Sequence, residues 1–242
     1  MINIVIPMAG LGSRFSKAGF KLPKPLIDVQ GKHMIELIIE NLTPLEKHRF
    51  IFICQKSHEK YNLSEILRKK TNNCEIIFTN EITDGALCTV LLGKEFITDD
   101  SLMIANCDQY IDFDINIYLN KFHATNSDGF IMTMISQEDK WSYIDLKNDL
   151  VSRVVEKKVI SEFATVGIYN FKNGNEFKLA AFEMINKNER VNNEFYVAPV
   201  YNSLIENNMK IRHYNIGKPG SGMFGLGTPE DLKIFNQQVS LK

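Results

Sequence analysis

The chain has 242 residues, enough for one large domain or two small ones with an ample core. Its 44% hydrophobic and 24% charged residues exclude a disordered chain. The near balance of 28 basic and 29 acidic residues removes the electrostatic basis for a general nucleic-acid binder, and no apolar run approaches the roughly 20 residues of a membrane helix.

In chain order, residues 2–7 form an Ile/Val-rich run that breaks into Gly10-Leu11-Gly12-Ser13, the pattern of a buried strand entering a flexible loop. This start carries neither the basic region nor the cleavage site of a signal peptide. A second apolar piece, Leu26–Val29, follows Pro23-Lys24-Pro25. Met34, Ile35, Ile38, Ile39 and Leu42 recur at helical spacing and predict an amphipathic helix over 33–42. Strands are predicted over 49–54, 74–78 and 101–105, with helices over 61–70 and 86–96. Such alternation implies a mostly parallel sheet covered on both faces.

The second half is richer in strands, predicted over 130–136, 143–146, 151–155 and 165–171. Helical patterns return over 173–187, 195–208 and 229–239, the last opened by Thr228-Pro229-Glu230-Asp231 as N-cap, N1 and N3. No repeat or Pro/Gly/Ser linker divides the chain. The expectation is a single α/β domain over 1–242 with a mixed sheet. A nucleotide-like ligand would lie in the half 1–125 and a second substrate in the half 126–242. Cys54, Cys74, Cys88 and Cys107 lie far apart without metal or disulfide spacing, so a reducing cytoplasm is expected.

The glycine loop carries the chemistry. Gly10 and Gly12 lack a Cβ, so backbone N–H groups there can approach a phosphate. Arg14, Lys17, Lys21 and Lys24 follow with no acid among them. Converging donors and cations are what a polyphosphate needs. A dinucleotide fingerprint would require glycine where Phe15 stands, and a P-loop would require a Gly-Lys-Ser/Thr that is absent. Asp108 ends an apolar strand, where a carboxylate is costly unless paired, bound to metal or capping the next turn.

Gly10-x-Gly12-x-Arg14-Phe15 with Pro23-Lys24-Pro25-Leu26 resembles the signature of the sugar-1-phosphate nucleotidylyltransferases. Asp84-Gly85-Ala86, Asn106-Cys107-Asp108, Glu156-Lys157 with Val166-Gly167-Ile168-Tyr169, and Gly227-Thr228-Pro229-Glu230-Asp231-Leu232 extend the resemblance in order along the chain. The resemblance implies a Rossmann-like GT-A-type fold with a mostly parallel central sheet flanked by helices. It also implies transfer of NMP from an NTP to a phosphorylated acceptor, with release of pyrophosphate.

By this resemblance Arg14, Lys24, Asp108 and Lys157 are the catalytic set, with Mg²⁺ on Asp108. Met8, Ala9, Gly10, Gly12, Ser13, Asn80, Asp84, Gly85 and Ala86 would meet the nucleotide. Glu156, Lys157, Gly167, Asn193 and Glu194 would meet the acceptor. The residue types at 193 and 194 suit a helix start equally well.

The sequence also departs from the family. Gly225 stands where many members place a second metal-binding Asp, so Asp108 acts alone or with Asp112 or Asp114, or the metal is recruited differently. Lys158 replaces the proline after Glu-Lys, and Trp141-Ser142-Tyr143 offers stacking or core packing near the acceptor. Pro7-Met8-Ala9-Gly10, Gly19–Pro25, Asp84–Thr89 and Asn193-Glu194-Phe195-Tyr196 resemble capsule-cluster cytidylyltransferases. That subtype implies CTP and phospho-L-glutamine as substrates, with a sugar 1-phosphate as rival acceptor and an inactive NTP sensor as a different class. Neither nucleic acid nor a membrane is expected as a partner; a homo-oligomer stays open, and the oligomeric state is not readable from the sequence.

Overall fold

The first strand, β1 (Ile2–Met8), sends Ile4, Ile6 and Met8 into one core and Val5 into another. A strand buried on both faces is the signature of a parallel sheet between helical layers. The computed structural model describes residues 1–241.

After β1 come α1 (Ser13–Lys17), the short pair β2 (Asp28–Val29) and β3 (Lys32–His33), and α2 (Met34–Leu42). Then follow β4 (His48–Gln55), α3 (Leu63–Lys70), β5 (Cys74–Thr79), α4 (Ala86–Leu91), β6 (Ser101–Ala105), β7 (Gln109–Ile111) and α5 (Ile115–Thr125). The second half contributes β8 (Gly129–Ile135), β9 (Ser142–Lys147), β10 (Leu150–Glu156), β11 (Phe163–Phe171), α6 (Gly174–Asn186) and α7 (Val200–Glu206). It closes with β12 (Ile211–Asn215), β13 (Lys218–Pro219), β14 (Gly222–Gly225) and α8 (Pro229–Gln238).

The main sheet runs β10-β9-β11-β6-β1-β4-β5, with β8 and β12 joined beside β11. Strands β5, β4, β1 and β6 are parallel, β11 runs antiparallel to β6, and β12 is parallel to β8. This is the expected mixed, mostly parallel sheet flanked by helices. Met34 (α2), Leu67 (α3), Tyr118 (α5) and Phe235 (α8) fill one face. Leu87 (α4), Phe177 (α6) and Tyr201 (α7) fill the other. A small second sheet, β13-β14-β7, sits at the carboxyl end of β6.

The register of β11 against β8 shifts between Thr165 and Tyr169, at Gly167 with φ +83°. A bulge there turns the strand at the cleft. Several elements add to those expected. In α5, Asp114 accepts from Asn116 N as N-cap, and Ile115, Tyr118, Leu119 and Phe122 form the buried stripe. The stretch expected to be helical from 195 begins at Val200, because the Phe195 backbone is taken by bonds to Asp84 and Leu87, described below. The helix over 86–96 is regular only to Leu91. Gly93 then brings the backbone against Ile51, leaving 3.2 Å for any Cβ.

Candidate active site

The glycine loop is built by two constraints. Gly12 adopts φ +59°, and a Cβ on it would lie 3.0 Å from Lys24 Cβ, so the loop backbone lies directly on Lys24. Phe15 is buried and meets Phe20 edge-on at 5.2 Å, anchoring α1. The residue that breaks the dinucleotide pattern is therefore a core plug. Lys24 opens a tight turn through Pro25 and buried Leu26, which fixes where its side chain starts. Gly10 has nothing within 4 Å of its Cβ position and faces open cleft.

Opposite lies the turn after β6. Asn106 N donates to Gly167 O (3.0 Å), Asn106 Nδ2 to Gln109 Oε1 (3.0 Å), and Leu226 N to Asp108 O (2.7 Å). The turn is thus held by β11 on one side and by the chain following β14 on the other. Lys24 Nζ is ion-paired with Asp108 Oδ2. Burial pulls the Lys24 ammonium down, but the Asp108 charge beside it outweighs this and leaves the ammonium above its ordinary value. The Cys107 thiol is pushed up to about 11 by burial and stays protonated.

Where the acceptor was expected, Glu156 is buried at the end of β10, and the Ser142 hydroxyl donates to it. Burial raises its carboxyl above the usual range, against the opposing pull of Ser142 and Lys157. Lys157 has φ +53°, and its N–H donates to Trp141 O at 3.0 Å. Gly167 admits no side chain, since a Cβ would collide with Gln109 Oε1 and Asn106 Nδ2.

Four adjoining cavities form one cleft, joined through Ala86, Asn106 and Asp108. One of about 340 Å³ is bordered by Ala9, Gly10, Thr83, Gly85 and Glu194. A second of about 260 Å³ lies between Met8, Gly10, Gly12, Lys24 and Asp108. The central one, about 360 Å³, gathers Arg14, Asp108, Lys140, Lys157 and Asp231. The fourth, about 190 Å³, is bordered by Trp141, Glu156, Gly167, Tyr169 and Tyr196.

Arg14, Lys24, Asp108 and Lys157 therefore converge, as do most of the residues expected around them. Four do not. Asn80 is exposed at the end of β5 and borders none of these cavities. Ser13 is likewise exposed, its carbonyl taken by the Ser16 hydroxyl. The Asp84 carboxylate is occupied by Arg190 Nη1 at 3.0 Å, and its carbonyl accepts from Phe195 N at 2.7 Å. Asn193 sits in an exposed left-handed turn with its carbonyl accepting from Arg190, neither capping a helix nor bordering the cleft. Leu87 N donates to Phe195 O, and a Cβ on Gly85 would be 2.5 Å from that oxygen. Asp84 and Gly85 thus clasp the segment after α6 onto the cavity beside Ala9 and Gly10. Glu194, expected on the acceptor side, borders the cavity beside Gly85.

Sequence reasoning passed over Gln109, Lys140 and Tyr196. Trp141, for which stacking and packing were both open, borders the acceptor and central cavities, and its Nε1 is buried without a partner. Asp231 has the expected capping role, its N–H donating to Thr228 Oγ1 at 3.1 Å. Its carboxylate also faces Gly225, with Cγ 3.6 Å from the Cβ position there.

The donor set suits Mg²⁺. Asp112 is exposed and Asp114 caps α5, so neither supports Asp108. A Cβ on Gly227 would be 2.9 Å from Asp108 Oδ2 and 3.8 Å from Asp231 Oδ2, so two carboxylates approach one point. No cluster of three or more metal-binding side chains occurs among the described residues. One or two carboxylates completed by phosphate oxygens and water is the usual Mg²⁺ arrangement.

The sequence model of the nucleotidyl transferase family matches residues 4–213. The chain belongs to that family. The bifunctional protein GlmU of Methanococcus aeolicus is 27% identical over 179 residues, covering 71% of this chain and 40% of that protein. The chain thus spans about 40% of the length of the first curated relatives it matches. Choline-phosphate cytidylyltransferase of Haemophilus influenzae is 25% identical over 154 residues, covering 63% of this chain and 62% of that one. The crystal structure of a nucleoside-diphosphate-sugar pyrophosphorylase from Vibrio cholerae superposes with a TM-score of 0.82 at 26% identity, covering 97% and 100% of the two chains. No helix among the described residues is long and apolar enough to cross a membrane.

Proposed function

We propose that the protein transfers CMP from CTP to a phosphorylated small molecule, with phospho-L-glutamine as the preferred acceptor and CDP-L-glutamine as product. The observation that carries the reaction is the convergence of Arg14, Lys24, Asp108 and Lys157 on one cleft between two cavities. The nucleoside would occupy the cavity beside Ala9 and Gly85, with its phosphates along Gly10 and Gly12 toward Lys24.

An acceptor phosphate oxygen attacks the α-phosphorus. A new P–O–P linkage forms, the bond from the α-phosphorus to the bridging oxygen breaks, and pyrophosphate leaves. Lys24 neutralises the α-phosphate, Arg14 the departing pyrophosphate, and Lys157 orients the acceptor phosphate in line. The nucleophile is already an anion, so no general base is required, and none of the five histidines borders the four cavities. Mg²⁺, held by Asp108 with support from Asp231, would supply charge neutralisation at the triphosphate.

The acceptor cavity combines the Glu156 carboxylate with the rings of Trp141, Tyr169 and Tyr196. Carboxylates and aromatic faces suit a positively charged nitrogen such as the ammonium of an amino acid. The choline-phosphate cytidylyltransferase relative supports cytidylyl transfer. A sugar 1-phosphate is the second reading, favoured by the UTP–glucose-1-phosphate uridylyltransferase of Haemophilus ducreyi, 22% identical over 214 residues.

The test is pyrophosphate release with Mg²⁺ across CTP, UTP, dTTP, ATP and GTP. Each is paired with phosphoglutamine, phosphocholine, glycerol phosphate and several sugar 1-phosphates. Release with CTP and phosphoglutamine is the expected result. Release only with a UTP or dTTP and sugar 1-phosphate pair would replace it with the second reading. Folded protein that binds NTP but releases nothing with these acceptors would point first to an acceptor outside the set and second to an NTP sensor.

A further inference from the structure

Three side chains link separate parts of the cleft. Lys157 Nζ donates to the Tyr196 hydroxyl, and that hydroxyl donates to Glu194 Oε2 at 2.6 Å. The phenol spends its one proton on the carboxylate and accepts from the ammonium, so both charges are satisfied through one oxygen. Lys157 borders the central cavity, Tyr196 the acceptor cavity and Glu194 the nucleotide side. The backbone of Lys157 is fixed by its bond to Trp141 O, which leaves only the flexible four-carbon stem to be aimed. The Tyr196 ring bounds that stem, with Nζ 4.5 Å from its centroid. Phe195 is tied to Asp84 and Leu87, so the ring and Glu194 are carried by a firmly held segment.

We infer that Tyr196 is a positioning residue, anchored by Glu194, that aims the Lys157 ammonium at the phosphate of the acceptor. The inference rests on the proposed nucleotidyl transfer and names a role for Glu194 other than acceptor contact. A lysine left to its own rotamers would meet the phosphate in many geometries, whereas one held on the phenol meets it in one.

The test uses the full chain and inorganic phosphate as the probe of the Lys157 site. Binding is followed by the fluorescence of Trp141, the sole tryptophan, which borders the same central cavity. Tyr196→Phe is expected to weaken phosphate binding about fivefold while CTP binding stays within twofold. In a Lys157→Ala background the same substitution should have no further effect, because it acts through the lysine. Glu194→Ala should weaken phosphate binding as Tyr196→Phe does, and Glu194→Gln, which keeps an oxygen for the phenol, should restore most of the phosphate affinity. Wild-type phosphate affinity in Tyr196→Phe, or losses that add to those of Lys157→Ala, would overturn the inference. So would wild-type protein that binds CTP but no phosphate. Failure of the wild-type chain to bind any of the five NTPs would instead remove the functional reading itself.

Discussion

The Lys24 ammonium and the Asp108 carboxylate are paired across the cleft, joining the glycine loop to the turn after β6. Each is mostly shielded, with 19% and 22% of its side chain exposed, so neither charge is readily replaced by water. Lys24→Ala and Asp108→Asn should each lower kcat by about 10²–10³-fold, the usual effect of removing one charge-stabilising group. Lys24→Ala leaves a shielded carboxylate unpaired and should cost about 1–3 kcal/mol of stability. Steady-state kinetics beside far-UV circular dichroism and urea melts check this. Full activity in either variant would remove that residue from the proposed catalytic set.

Gly167 sits at the bulge of β11 with φ +83°, and its carbonyl holds Asn106 N. Gly167→Ala adds the strain of a left-handed residue, about 1–3 kcal/mol, to a collision with Gln109 and Asn106. The variant should melt lower and lose acceptor turnover more than NTP affinity, because the displaced amides border the acceptor cavity. Thermal unfolding and separate binding titrations distinguish the two effects.

The clasp between Arg190 and Asp84 predicts a different pattern. Its partners are 32% and 63% exposed, so the ion pair contributes at most about 1 kcal/mol. Arg190→Ala should leave the melting temperature nearly unchanged. It also removes the guanidinium from the Phe195 ring, 4.2 Å away, and loosens the nucleotide side. The expected result is an NTP KM about three- to tenfold higher with kcat kept, measured by pyrophosphate release.

Glu156 gives a pH signature. Burial holds its carboxyl above the ordinary value, so between about pH 4.3 and its folded value the native state retains a proton that the unfolded chain has lost. Its contribution to stability is full below that window and falls as pH rises through it. Glu156→Gln has no such slope. The melting temperature of the variant relative to wild type should therefore rise between pH 4 and pH 8, and parallel curves would contradict this account. Acceptor turnover should fall at the same time.

The parallel half of the sheet was legible because strands buried on both faces are continuous apolar runs and α2 repeats at helical spacing. The glycine loop, Lys24, Asp108 and Lys157 were legible as motifs. Asp84 and Asn193 misled because a motif records residue type and not the partner. Arg190 is remote in sequence from Asp84 and claims its carboxylate. Lys140 and Tyr196 were passed over because their place in the cleft depends on Trp141 and Phe195 being pinned by distant backbone. Asp231 was read as a cap, which it is, but the space that Gly225 leaves for its carboxylate is visible only in three dimensions.

The bond from Leu226 N to Asp108 O means that the turn carrying the Asp108 carboxylate is latched by a segment remote from it in sequence. The pairing of β14 with β7 belongs to the same latch. Pairing of the parallel strands β5, β4, β1 and β6 alone does not supply this closure. The placement of the Asp108 carboxylate therefore rests on contacts of long sequence separation, which close after the local ones.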